Sequence, residues 1–468
     1  MTSSSQQSVE THAAIYSVAL IIIFKLVGTL FSNLPNIISE CIYHSFIVLL
    51  TGICIRDKNQ SAHGIAQFFG LNSHDALSRM LYHKSWSASL LMLELLNQAI
   101  RLSTGTLSPS WLIIDDVILP KQRSVKTAFL GWDYDYVNEK NIRCLRLVVV
   151  AWSNGAICIP VAFALYYKKN HPYVLAKQRR FRTKNQLARN LVYHVKKTGL
   201  HFDYLVFDSW YASAENLIFF QKLNITFVTA VKSNRKLTMP FNPIENKPKR
   251  RCKNSRWSQL TCTELAAQTP YVRDYHYYRT VDARARKYLV LVEDVNFLLR
   301  FVCIKNYAKN KAFKDIHTKA DKRAKDPNKY LVTNDVNLTI PNIISYYRNR
   351  WTIEVMFRDC KQHLALGKCQ SYKSVDPQLR HTAMVFLAFT LFELMKSNGN
   401  HYPAVDTTIG DIRRYLQNQQ LVYINGQYHV VDISKSTLNW DQVNEFTQLI
   451  DIKNITSTET QLVFNFKF

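Results

Sequence analysis

Two apolar runs, each closed by aspartate, constrain this chain more than any other feature. Trp111–Ile114 (WLII) runs into Asp115-Asp116, and Tyr204–Phe207 (YLVF) runs into Asp208. Short apolar runs that stop at polar residues read as strands buried on both faces. Between them, Cys144–Trp152 and Ala156–Tyr167 read as two further strands. The intervening Ser153-Asn154-Gly155 is hairpin chemistry. Lys184–Thr198 reads as a helix before the second aspartate, Ala212–Leu223 as a helix after it, and Ile225–Val231 as another strand.

The resulting order, β-β-β-α-β-α-β, predicts a mixed sheet with helices on its faces. It is the order of an RNase H-like core, here expected over 109–231. Residues 1–108 read as an α-helical N-terminal domain, with a helix-turn-helix pattern at about 61–84. There His63–Phe69 and Ser73–His83 flank Gly70, and Ser73 is a fair N-cap. Strand-like runs at Arg279–Val281, Tyr288–Glu293, Arg300–Ile304 and Tyr330–Thr333 alternate with basic loops. They make 232–335 a β-rich insertion. Residues 336–375 return to the core with a helix that starts at Pro341. Residues 376–468 read as a mixed, mainly helical region, with strands near 421–432 and 461–467.

Sixty Lys and Arg against 34 Asp and Glu leave a charge of +26. Such an imbalance favours a polyanionic partner, nucleic acid before an anionic membrane. The insertion 232–335 holds 24 basic and 10 acidic residues, whereas 1–110 holds 6 and 5. The electrostatic footprint therefore lies mid-chain, with Lys249, Arg250 and Arg251 in the loop KPKRRCKNSR. Nine cysteines without a CxxC pair argue for free thiols in a reducing cytoplasm. The apolar run Ile15–Phe24 is too short to span a bilayer before Lys25 interrupts it, so no membrane association is expected.

Tyr347, Arg350, Glu354 and Lys361 carry the chemistry of the last core segment. In one continuous helix, at about 100° per residue, they fall within roughly 60° of one another. A tyrosine, two cations and a carboxylate on one face suit a phosphate backbone held beside a metal-binding acid. Read alone, a strand-end aspartate is a solvated group, and Glu354 is an ion-pair partner for Arg350 at i−4. Together, Asp115, Asp208 and Glu354 offer three hard oxygen ligands. These suit two Mg²⁺ ions, for which Mn²⁺ can substitute.

The stretch YYRNRWTIEVMFRDCKQHLAL (346–366) resembles the Y-(2)-R-(3)-E-(6)-K motif of DDE transposases of the insertion-sequence-4 superfamily. IIDDV (113–117) and FDSWY (207–211) are similar to that family's two aspartate regions. The resemblance covers about 60–375. It implies an RNase H-like fold with a β-rich insertion, a catalytic and metal-binding set of Asp115, Asp208 and Glu354, and DNA-phosphate contacts from Tyr347, Arg350 and Lys361. It departs at Val117, where the family usually carries Thr or Ser, which leaves Asp116 open as the first ligand.

The implied activity is cut-and-paste transposition: metal-dependent cleavage of transposon ends, then strand transfer into target DNA. The implied partners are terminal inverted repeats, target duplex and a second copy of the chain. The implied setting is bacterial cytoplasm, at the nucleoid when DNA is bound. Related enzymes flip a base near the cut, and Trp210, Tyr330 and Trp351 are the candidate stacking rings. The alternative is a DNA-binding relative that has lost catalysis.

Overall fold

The computed structural model describes residues 19–20, 22–58, 60–104, 109–124, 126–135, 138–176, 180–239, 259–268, 274–305, 328–369, 373–397, 408–424 and 427–432. Lys249, Arg250 and Arg251, and the strand expected at 461–467, lie outside these residues. The chain divides into two compact units, 99–122 with 129–355, and 1–98 with 123–128 and 356–468.

The first unit is built on a mixed sheet. Its strands are β1 (Trp111–Pro120), β2 (Gly131–Asp135), β3 (Lys140–Ser153), β4 (Cys158–Tyr166), β5 (Tyr204–Phe207) and β6 (Phe227–Ala230). β3 pairs antiparallel with both β1 and β4, and β1, β5 and β6 run parallel. The order β4-β3-β1-β5-β6, antiparallel then parallel, fits an RNase H-like core.

The hairpin turn at Gly155 (φ 89°) joins β3 to β4, and Asn154 Oδ1 accepts from the amides of Ala156 and Ile157. Helix α5 (Lys184–Lys197) opens on a capping box, in which Thr183 and Gln186 satisfy each other's exposed amides. Helix α6 (Ala214–Lys222) follows Asp208 after a short turn and is capped by Ser213.

Strands from the basic region continue this sheet. β7 (Lys236–Thr238), β8 (Gln259–Thr261), β9 (His276–Tyr278), β10 (Ala283–Val292), β11 (Leu299–Lys305) and β12 (Lys329–Thr333) join it, with β12 pairing antiparallel to β6. The strand expected at Arg279–Val281 is instead one 3-10 turn. Asp282 takes the left-handed region (φ 43°) and accepts the Tyr277 hydroxyl, so β10 begins only at Ala283.

Helices α7 (Ile340–Arg348) and α8 (Trp351–His363) replace the single helix expected from the stripe. The break has a local cause. The Arg350 and Thr352 amides bond three residues back, to Tyr347 and Asn349, and the Thr352 hydroxyl takes the same Asn349 carbonyl at 2.8 Å. The chain tightens into a 3-10 turn there.

The second unit is largely helical. It contains α1 (Glu40–Ile55), α2 (Ala62–Phe68), α3 (Asp75–Tyr82) and α9 (Val375–Ser397). α10 (Ile409–Asn418) and the hairpin of β13 (Gln419–Ile424) and β14 (Gln427–Asp432) complete it. α9 is buried nearly all round, and it packs on α1 and α3. α2 and α3 flank Gly70, as the sequence predicts, but Ser73 caps no helix: it bonds the Asp75 amide, and His74 is the N-cap. Gly52 in α1 faces Ile65 in α2 so closely that a Cβ would lie 2.5 Å from its side chain. No helix among the described residues is long and apolar enough to cross a membrane.

Candidate active site

The parallel pairing of β1 with β5 ends at Ile114 and Phe207. Asp115 and Asp208 are therefore the next residue on each of two neighbouring strands. β1 itself does not stop at Asp115 but runs on to Pro120, still paired with β3. β5 does stop, because Asp208 caps the turn Ser209–Tyr211 by accepting the Ser209 amide. A continuing strand beside an ending one places both carboxylates at one step in the sheet.

Glu354, in the first turn of α8, is linked to Asp115 through Arg350. The Arg350 Nη1 lies 3.2 Å from Asp115 Oδ2, and its Nη2 pairs with Glu354 Oε1. The guanidinium thus bridges carboxylates that are 239 residues apart in sequence. Tyr347 brings its ring to 5.9 Å from the guanidinium carbon, and Lys329 lies over the same ring at 5.5 Å.

Burial pushes the Asp115 carboxyl up to about 8; Arg350 opposes this, while Asp116, Glu354 and Asp208 add to it. Glu354 is raised too, first by burial and against Arg350. Burial works against the charge of Arg350, but Tyr347 and the surrounding carboxylates outweigh it and raise its pKa. Burial thus disfavours the charged form of both Asp115 and Glu354, and a cation beside them favours it.

Asp116 follows Asp115 directly and, by strand alternation, faces the other side of the sheet. It is held there by the Arg146 guanidinium, by Lys184 Nζ at 3.2 Å and by the Tyr211 hydroxyl at 3.1 Å. Arg146 also pairs with Asp133 of β2. The pattern of alternating strands could have separated the two aspartates; the partners of Asp116 could not have been read from spacing, because they come from three other elements.

Of the rings considered for stacking, Tyr330 is buried at 2 % exposure and Trp351 is half-buried, whereas Trp210 is 54 % exposed. Lys184 and Lys232 place their ammonium groups 4.4 and 5.2 Å from the Trp210 ring centre. A cavity of about 320 Å³ beside it is lined by Ser209, Trp210, Lys232, Asn234 and Arg235 among others. Lys361 is exposed, seven residues beyond Glu354 on α8.

The family pattern described as DDE superfamily endonuclease matches residues 44–280, just over half of the chain, and includes Asp115 and Asp208. The chain belongs to the DDE superfamily endonucleases. Glu354 lies beyond the matched span of this DDE endonuclease. The chain is also 25% identical over 244 residues to a probable transposase for insertion sequence element IS701 from Microchaete diplosiphon. That match covers 50% of this chain and 59% of the relative.

Among the described residues, no three acidic, histidine or cysteine side chains are gathered closely enough to hold a metal ion. The donor chemistry nevertheless fits one. Asp115, Asp208 and Glu354 carry hard carboxylate oxygens that could serve a divalent ion, and a guanidinium sits between two of them, Asp115 and Glu354.

Proposed function

We propose that this DDE endonuclease is the transposase of an insertion sequence, cleaving the element's ends and joining them to target DNA. The observation that carries the reading is the side-by-side position of Asp115 and Asp208 where the pairing of β1 with β5 ends, with Glu354 joined to Asp115 by one guanidinium. A merely DNA-binding relative needs cations but no converging acids.

In this reading Asp115, Asp208 and Glu354 hold two divalent ions, Mg²⁺ with Mn²⁺ as a substitute. When bound, such ions supply Lewis acidity that activates the attacking water or 3′-hydroxyl and stabilises the leaving oxygen. In this reading Asp115 rather than the alternative Asp116 is the first ligand, because by strand alternation Asp116 faces the other side of the sheet, where Arg146, Lys184 and Tyr211 hold it. The resemblance to the Y-R-E-K group of the insertion-sequence-4 superfamily gives DNA-backbone contacts to Tyr347, Arg350 and Lys361; of these Lys361 is exposed, whereas Tyr347 is buried and Arg350 is paired with Asp115 and Glu354. The basic stretch with Lys249, Arg250 and Arg251 adds non-specific attraction along the duplex.

Trp210 is the stacking platform for an unpaired base near the cut, flanked by the ammonium groups of Lys184 and Lys232. Two ends must be brought together, so the working species is a homodimer on the terminal inverted repeats. It acts in the bacterial cytoplasm, at the nucleoid.

The test is excision of a marker flanked by the element's native ends, with Mg²⁺ or with EDTA. Wild type should excise only with metal, and Asp208→Ala and Glu354→Ala should not excise while still binding ends. No excision by wild type, with end binding intact, would sink the transposase reading in favour of a catalytically inactive DNA-binding relative.

A further inference from the structure

Arg350 holds an unusual position for a residue that is to meet DNA. Its side chain is only 14% exposed and is shared between Asp115 and Glu354. It leaves the backbone in the break between α7 and α8, outside either helix. Its Nε is buried without a hydrogen-bond partner. The fork is thus spent on two carboxylates while one donor stays unsatisfied, an arrangement that costs free energy and is poised to exchange.

We propose that Arg350 is the built-in counter-ion of the Asp115–Glu354 pair, which a divalent cation must displace before these carboxylates can hold it. This rests on the reading of Asp115, Asp208 and Glu354 as the metal-binding set. The argument is one of shared lone pairs and charge. An oxygen committed to a guanidinium N–H is not free to face a cation from the same side, and a fixed positive charge repels an incoming one. Without the guanidinium, the facing carboxylates would carry unbalanced charge in a buried place. Arg350 therefore keeps the acids together before metal arrives.

Once displaced, its planar fork matches a phosphate as well as it matched the carboxylates. A DNA phosphate beside the site then compensates the released guanidinium. Metal binding and DNA binding become coupled through one side chain, each favouring the other.

The experiment is calorimetric titration of the DNA-free full chain with Mn²⁺, comparing wild type, Arg350→Gln, Arg350→Lys, Asp115→Asn and Glu354→Gln. Thermal melting is followed with and without Mn²⁺. Arg350→Gln should bind Mn²⁺ about tenfold more tightly than wild type or better, the effect of losing one charged hydrogen-bonded competitor. It should melt lower than wild type without metal and gain more from Mn²⁺. Affinity equal to or weaker than wild type would overturn the counter-ion role.

Should the Gln variant fail to fold, Arg350→Lys decides. A lysine keeps the charge but cannot fork across both acids, so it too should bind Mn²⁺ more tightly than wild type, and wild-type affinity would overturn the proposal. Mn²⁺ binding unchanged in both Asp115→Asn and Glu354→Gln would instead overturn the underlying metal-site reading, a distinct result.

Discussion

The Tyr211 hydroxyl donates to Asp116 Oδ1 at 3.1 Å, across 95 residues of sequence. Tyr211 closes the turn that Asp208 opens, and Asp116 is the neighbour of Asp115, so one hydrogen bond ties the turn after β5 to β1. Tyr211 is fully buried, and burial and the nearby aspartates hold its phenol protonated, well above the ordinary tyrosine range. Tyr211→Phe keeps the ring and removes the tie. It is expected to cost about 1–2 kcal/mol of stability, because a buried carboxylate loses a donor. Cleavage should fall while end binding stays within twofold. Urea denaturation beside a cleavage assay checks this, and unchanged values in both would show that the tie does nothing.

Asp115 and Asp116 should part ways under mutation. Asp116→Ala leaves Lys184 without this carboxylate and Arg146 with Asp133 alone of its two acids, in a place where their side chains are only 12% and 14% exposed. A loss of roughly 3–5 kcal/mol is expected from breaking a buried ion pair on one side. Asp115→Asn removes a carboxylate that burial already disfavours in its charged form, so stability should hold or rise while cleavage disappears. Thermal melts of both variants decide, and the opposite pattern would return Asp116 to the ligand set.

The strands and helices that carry this site were legible because their sequences are locally consistent: WLIIDD, YLVFD and the Thr183–Gln186 box each state their structure. The break at Asn349–Arg350 was not. YYRNRWTIE has no Gly or Pro to mark a stop, and only the Thr352 hydroxyl competing for the Asn349 carbonyl reveals the turn. β2 escaped notice because GWDYD is half-exposed along its length and carries no apolar run. Asp115 was expected at the end of its strand, since the apolar pattern stops there; β3 continues the pairing for five more residues to Pro120. The Arg350 bridge also lay half in view: spacing suggested its pairing with Glu354, but the contact with Asp115 depends on the fold.

Without metal, stability should fall as pH rises through the weakly acidic range. Asp115 moves from an ordinary value of 3.8 in the unfolded chain to about 8 in the folded one, and Glu354 is raised as well. Between these values the folded protein binds more protons than the unfolded chain, so each step up in pH favours unfolding. The melting temperature of the EDTA-treated protein should therefore decline between about pH 4 and pH 8. Mn²⁺ should flatten the decline, because a cation holds the carboxylates charged. Asp115→Asn should flatten it without metal. A melting temperature that rises over this window in EDTA would contradict the buried, crowded state of these acids.

Trp210 offers a separate way to test contact with DNA. Its ring is more than half exposed beside a polar cavity, with two ammonium groups over it. Trp210→Ala should weaken binding of ends carrying unpaired bases by about 1–3 kcal/mol, the worth of one stacked base. Fully paired ends should lose little. Lys232→Ala should instead weaken both substrates alike and make the fall in affinity with salt less steep, by about one unit of slope per lost phosphate contact. The discriminating measurement is fluorescence anisotropy on paired and mismatched ends at several salt concentrations. An equal loss on both substrates for Trp210→Ala would assign the ring to general packing or backbone contact and remove the stacking role.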